Sequence, residues 1–177
     1  MNIKDNKRRK SSKEKIKRVF IELIQTKEIN QISVSDICKK CNLNRSTFYS
    51  NYIDIYDLAD KIKEDLFQEV LNLYPEEVKT SKHSYDFLRL FNHIKDNQLF
   101  YKTYFKLDYD NNFEFFDKMV DSNEVSKYYS DKDNISYHVT FFKAGLNAVI
   151  KRWLYYGCIE SPEEIRDIII SEYKNKS

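Results

Sequence analysis

Apolar side chains recur at helical spacing along most of this sequence, and very little interrupts them. Ile16, Val19, Phe20, Leu23 and Ile24 stand at i, i+3, i+4, i+7 and i+8, one stripe down an amphipathic helix. Val34, Ile37, Cys38 and Cys41 repeat the pattern after a break, and Ile135, Val139, Phe142, Leu146, Val149, Ile150 and Trp153 sustain it longest. Only 2 Gly and 2 Pro occur in 177 residues, so the tight turns that a sheet architecture requires are scarcely supplied. The fold expected is all-α, with room for a small head on a larger body.

Capping chemistry marks where the helices begin. Ser11-Ser12-Lys13-Glu14 reads as a capping box for a first helix ending near Lys27. Ahead of it, residues 1–10 hold Lys7, Arg8, Arg9 and Lys10 and almost no apolar side chain to offset the entropy of ordering, so they read as a flexible basic arm. Ser33, with Asp36 three residues on, opens a second helix. Asn42-Leu43-Asn44 is a short turn, with Asn44 as N-cap of a third helix over Arg45 to Asn51. From Ile55 a fourth helix runs through Leu58, Ile62, Leu66, Val70 and Leu73 to Pro75. Residues 84–119 are crowded with aromatics, among them Tyr85, Phe91, Tyr101, Tyr104, Tyr109, Phe113, Phe115 and Phe116, and read as two or three helices. Asp131 to Asn134 opens a long helix closed by Gly157, and Ser161-Pro162-Glu163-Glu164 starts the last one. The total is about nine helices.

Charge is divided unevenly along the chain. Residues 1–52 carry 13 Lys/Arg against 5 Asp/Glu, and the remainder 17 against 23, within a net charge of +2. That is the footprint of a chain whose leading end meets a polyanion, although a solvated basic tail would leave the same mark. No apolar run approaches the ~18 residues of a membrane span, and no secretory h-region occurs. The odd set Cys38, Cys41 and Cys158 suits free thiols in a reducing compartment, so a cytoplasmic location is expected. Cys38 and Cys41 fall on an apolar stripe, and His83, His93 and His138 lie far apart, so no metal site is expected. No nucleophile elbow or phosphate-binding loop is present, and neither enzyme activity nor a cofactor is expected.

Residues 33–52 meet the needs of a helix-turn-helix: a supporting helix, a tight turn, and a second helix whose leading side chains can reach base edges. The stretch from Ile32 through Ser33-Val34-Ser35-Asp36-Ile37 and Asn44-Arg45-Ser46-Thr47-Phe48-Tyr49-Ser50-Asn51-Tyr52 resembles the TetR-family DNA-binding domain without a gap. Gly145 to Leu154, with Gly157-Cys158 and Ser161 to Ile165, is similar to a C-terminal domain of some TetR-type regulators. The resemblance implies a three-helix head at residues 11–54, joined by the fourth helix to a C-terminal helical bundle, residues 55–177, for dimerisation and effector sensing. It also implies that Asn44, Arg45, Ser46, Thr47, Tyr49, Asn51 and Tyr52 lie at the DNA surface. Arg45 can bind a guanine edge, Thr47 a thymine methyl, and the hydroxyls of Ser33, Ser35 and Tyr49 can meet phosphates.

One departure stands out. Many members of that family carry a phosphate-touching lysine at the start of the fourth helix, where this chain has Ile55. Lys7, Arg8, Arg9 and Lys10, or free backbone N–H groups at that helix start, would have to supply the contact. In the C-terminal helices, Leu146, Val149, Ile150, Trp153, Ile165, Ile168 and Ile169 form the expected dimer seam. The function expected is a homodimeric repressor on a palindromic operator of double-stranded DNA. The aromatic middle leaves open a small apolar or aromatic effector, since such side chains line pockets and fill cores alike. The alternative is a helical co-regulator that acts through protein contacts.

Overall fold

The computed structural model describes residues 3–74, 87–107 and 133–174. Among these, eight α-helices occur: α1 (Ile3–Ile24), α2 (Val34–Cys41), α3 (Arg45–Tyr49), α4 (Ile55–Leu71), α5 (Phe87–Asp96), α6 (Gln98–Leu107), α7 (Ile135–Tyr155) and α8 (Pro162–Lys174), with one 3-10 turn at Ile29–Gln31. The all-α architecture is therefore as expected. No helix among the described residues is long and apolar enough to cross a membrane. The chain divides into two compact units, Met1–Leu66 and Phe67–Ser177.

In the first unit the stripe of α1 is the core. Ile16, Phe20 and Ile24 are essentially inaccessible, and α1 packs against α2, which packs against α3. The second helix is capped at both ends as its sequence dictates. Ser33 Oγ accepts from the Asp36 N–H at 3.1 Å, and the Asp36 carboxylate accepts from the Ser33 N–H at 3.2 Å. At its other end Asn42 takes the left-handed conformation, φ 52°, which frees the Leu43 N–H to close on the Cys38 carbonyl at 3.0 Å. All three cysteines are free and buried.

Two expectations for this unit are corrected. Residues 3–10, read as a flexible arm, continue α1 as helix, so Ser11 and Ser12 lie inside it and do not cap it. Extending an existing helix adds a bond per residue without a nucleation cost, and no Gly or Pro intervenes to stop it. The division expected between residues 54 and 55 falls later. Ile55, Leu58, Ala59, Ile62 and Leu66 are buried in the first unit, so most of α4 is part of the head's core.

In the second unit α8 packs on α5, and α6 on both α5 and α7. Trp153 meets Phe91 edge-on, with ring centroids 6.1 Å apart, while its indole N–H donates to the Glu160 carbonyl at 3.1 Å. After α7, Gly157 (φ 79°) and Cys158 (φ 54°) turn the chain, and the Cys158 N–H returns to the Trp153 carbonyl at 2.8 Å. Ser161 then opens α8: its N–H donates to the Glu164 carboxylate at 2.7 Å and its Oγ accepts from the Glu164 N–H at 3.1 Å. Pro75, Tyr85, Tyr109, Phe113, Phe115, Phe116 and Asp131 lie outside the described residues.

The expected dimer seam is also corrected. Leu146, Ile150, Trp153, Ile165 and Ile169 are at most 4% exposed within a single chain, so they hold the protomer together. Val149 is half-buried, and only Ile168 of that set is exposed. A helical period tells that a stripe is buried but not against which chain. Accordingly, Leu146→Ala should destabilise the second unit by about 2–5 kcal/mol at any protein concentration. Ile168→Ala should change protomer stability by about 0.5 kcal/mol or less. Thermal unfolding over a hundredfold concentration range checks both.

Candidate nucleic-acid interface

Five residues of helix cannot stand alone in water, so α3 is held by what it buries. Phe48 is fully buried, while Arg45, Ser46 and Tyr49 are exposed and Thr47 is half-buried. Tyr49 stands edge-on to Phe48 at 5.6 Å between centroids and keeps 57% of its surface open. Asn44 occupies the N-cap position, but its side chain makes no capping bond and remains exposed. Four hydrogen-bonding side chains, those of Asn44, Arg45, Ser46 and Tyr49, thus face outward.

Tyr52 does not join them. It is 2% exposed, its ring packs 5.5 Å from Phe48, and the Lys61 ammonium lies 5.4 Å from its ring centroid. Burial, reinforced by the charges of Asp65, Glu14 and Asp57, pushes its phenol up to about 12. Four residues beyond Phe48, it falls on the same inward side, and the expectation that it touches DNA is withdrawn.

Each end of α3 borders a shallow groove with an arginine at its edge. On one side, a groove of about 320 Å³ is lined by Ser35, Cys38, Lys39, Asn42, Leu43, Asn44 and Arg45, and the Arg45 guanidinium donates to Ser35 Oγ. On the other, a groove of about 380 Å³ is lined by Arg9, Ser12, Ser46, Thr47, Ser50 and Asn51. There Arg9 Nε donates to Asn51 Oδ1 at 3.2 Å and its terminal nitrogen to the Ser50 carbonyl at 3.1 Å. Among the described residues neither arginine pairs with a carboxylate. Uncompensated guanidinium groups beside an exposed polar helix suit phosphate and guanine edges.

The remaining expected contacts fare unequally. The Ser33 hydroxyl is engaged in capping α2 and in donating to Asp36 Oδ2 at 2.8 Å, and Ser35 accepts from Arg45. Asn51 Nδ2 donates to the Thr47 carbonyl at 2.7 Å while its oxygen takes Arg9, so both ends of its amide are engaged. Lys10 is exposed, and Lys7 and Arg8 lie on the helical backbone of α1.

At the start of α4 the free N–H groups expected to bind phosphate are partly taken. Asp54 Oδ1 accepts from the Asp57 N–H at 2.8 Å, and the Asp57 carboxylate accepts from the Ile53 N–H at 2.8 Å and from Lys61 Nζ at 2.8 Å. Two carboxylates now stand where an anion would sit, and they repel one. Ile55, in the place of the family's lysine, is buried, while Ile53 and Tyr56 beside it are exposed.

Residues 82–172, half of the chain, match the family described as the transcriptional regulator C-terminal region of TetR type. The chain belongs to the TetR family of transcriptional regulators. Over 124 residues the regulator is 32% identical to the HTH-type dhaKLM operon transcriptional activator DhaS of Lactococcus lactis subsp. lactis (strain IL1403), a match covering 70% of this chain and 64% of that relative. A solved structure titled dihydroxyacetone kinase operon activator DhaS superposes with a TM-score of 0.53 at 25% identity, covering 92% of this chain and 96% of its own.

The carboxylate cap at α4 gives this regulator an acid-sensitive joint. Hydrogen bonds from Lys61 and from the Ile53 N–H hold the Asp57 carboxyl below the ordinary 3.8. A depressed folded-state value contributes stability that is present above 3.8 and is lost as pH falls through the lowered value. Acid titration of unfolding in the wild type should therefore show a limb below pH 3.8 that Asp57→Asn flattens. An unaltered limb would contradict this assignment.

Proposed function

We propose that the regulator binds a two-fold symmetric DNA operator as a homodimer, inserting α3 of each protomer into successive turns of the major groove. Arg45 reads a guanine, Thr47 a thymine methyl, and Tyr49, Ser46 and Asn44 fix the helix on bases and phosphates. One observation carries most of the weight: Arg45 and Tyr49 are exposed on a helix whose opposite side is pinned by the buried Phe48. Support for pairing comes from geometry, because two half-sites about 34–36 Å apart require two heads related by a two-fold axis. The pairing surface is taken to be the outer side of α7 and α8, including the exposed Tyr137 and Ile168.

The outcome proposed is activation, because the relative and the solved structure both carry that word in their names. Repression, expected from the residues and the family resemblance, gives way to it. Phosphate contact at the start of α4 is weak for want of a lysine there, and the cations of α1, Lys7, Arg8 and Lys10, compensate. An effector, if one acts, has to prefer one conformation over another to change occupancy.

Selection from a random duplex pool should enrich a palindromic sequence. On the enriched duplex, Arg45→Ala should lose roughly 10- to 100-fold in affinity and relax the preference at one base pair per half-site. With roughly 6–10 phosphates neutralised, wild-type affinity should fall about 10³- to 10⁵-fold between 50 and 200 mM salt. No enrichment, or Arg45→Ala binding as tightly as the wild type, would refute the proposal.

A further inference from the structure

We infer that Arg9 is a positioning residue: with Asn51 it latches the trailing end of α3 to the leading turns of α1, and so sets how accurately α3 reads bases. The inference rests on the DNA-binding role proposed above and deepens it.

Three observations converge on this. A helix spanning Arg45–Tyr49 has few internal hydrogen bonds, and its last carbonyls have no continuing helix to satisfy them. The Ser50 carbonyl, one residue beyond, instead accepts from Arg9 at 3.1 Å. Asn51 relays the same anchor, because its oxygen accepts from Arg9 Nε at 3.2 Å and its nitrogen donates to the Thr47 carbonyl at 2.7 Å. A cation at a helix C-terminus is favourable in its own right.

Arg9 reaches this place because of the helical period of α1. It precedes Ile16 by seven residues and Phe20 by eleven, which puts it on the buried side of the helix, continued beyond the point where apolar residues stop. The leading turns of α1 therefore form a bracket for α3. Holding both guanidinium donors on Asn51 and Ser50 also keeps Arg9 from acting mainly as a phosphate contact. With Phe48 as the inner pin and Arg9 as the lateral one, α3 is fixed against rolling about its axis, the motion that would swing Arg45 and Thr47 away from base edges.

The test uses the full chain and the duplex enriched by the wild type, with a scrambled duplex of equal length for comparison. Arg9→Ala should lower the ratio of enriched to scrambled affinity about fivefold to tenfold, as expected for the loss of charge-assisted hydrogen bonds. The slope of log affinity against log salt should stay as in the wild type. Arg9→Gln is the discriminating variant, since glutamine Nε2 falls at the position of arginine Nε and keeps the bond to Asn51 without the charge. It should recover most of the lost ratio. Asn51→Ala should resemble Arg9→Ala, and the double variant should be no worse than either alone. A salt slope shallower by about 1 in both Arg9→Ala and Arg9→Gln, with the ratio unchanged, would make Arg9 a phosphate contact and overturn the latch. If no duplex is enriched, the DNA-binding proposal fails first and the latch falls with it.

Discussion

Burial of one phenylalanine governs the functional surface of this regulator. Phe48 is fully enclosed, and burying such a ring is worth about 1.5–3 kcal/mol, more than a five-residue helix can gain from its own backbone. Because Phe48 points in, the residues on the other side of α3 must point out. Tyr52, one turn later, packs against it and anchors the exit of the helix-turn-helix into α4. The exposed set Arg45, Ser46 and Tyr49 is thus a consequence of the core, and a change of polar residue on that side alters what is read without altering the fold.

Around this pin the sequence distributes charge economically. Guanidinium groups border α3 at both ends without carboxylate partners among the described residues, whereas the start of α4 is closed by Asp54 and Asp57. A surface arranged in this way concentrates attraction for an anion on α3 and the leading turns of α1. It also differs from relatives that place a lysine at the fourth helix, since that point is occupied here by the buried Ile55.

Much of the head could be read from the residues, because its signals are local. Ser33 with Asp36, and Asn42 in its left-handed turn, are chemical requirements of helix ends, and they appear where the sequence puts them. The errors came where a local rule met a longer-range one. Composition assigned residues 1–10 to a tail, yet the period of α1 run backward from Ile16 through Ser12 to Arg9 marks a continuing inner side. Tyr52 has a hydroxyl suited to phosphate, and only its spacing from Phe48 decides for the interior. The stripe Leu146, Ile150 and Trp153 announced burial correctly but not that α5 and α6 of the same chain, with Phe91 against Trp153, provide it.

The inward set of α3 and its exit, Phe48 and Tyr52, against the outward Tyr49 is the central claim, and hydroxyl-radical footprinting of the full chain reads it side chain by side chain. In the free protein Tyr49 should be oxidised readily and Phe48 and Tyr52 hardly at all. Adding the enriched duplex should protect Tyr49 and leave Tyr137 on α7 as reactive as before. A reactive Tyr52 in the free protein, or a Tyr49 that duplex DNA fails to protect, would contradict the account.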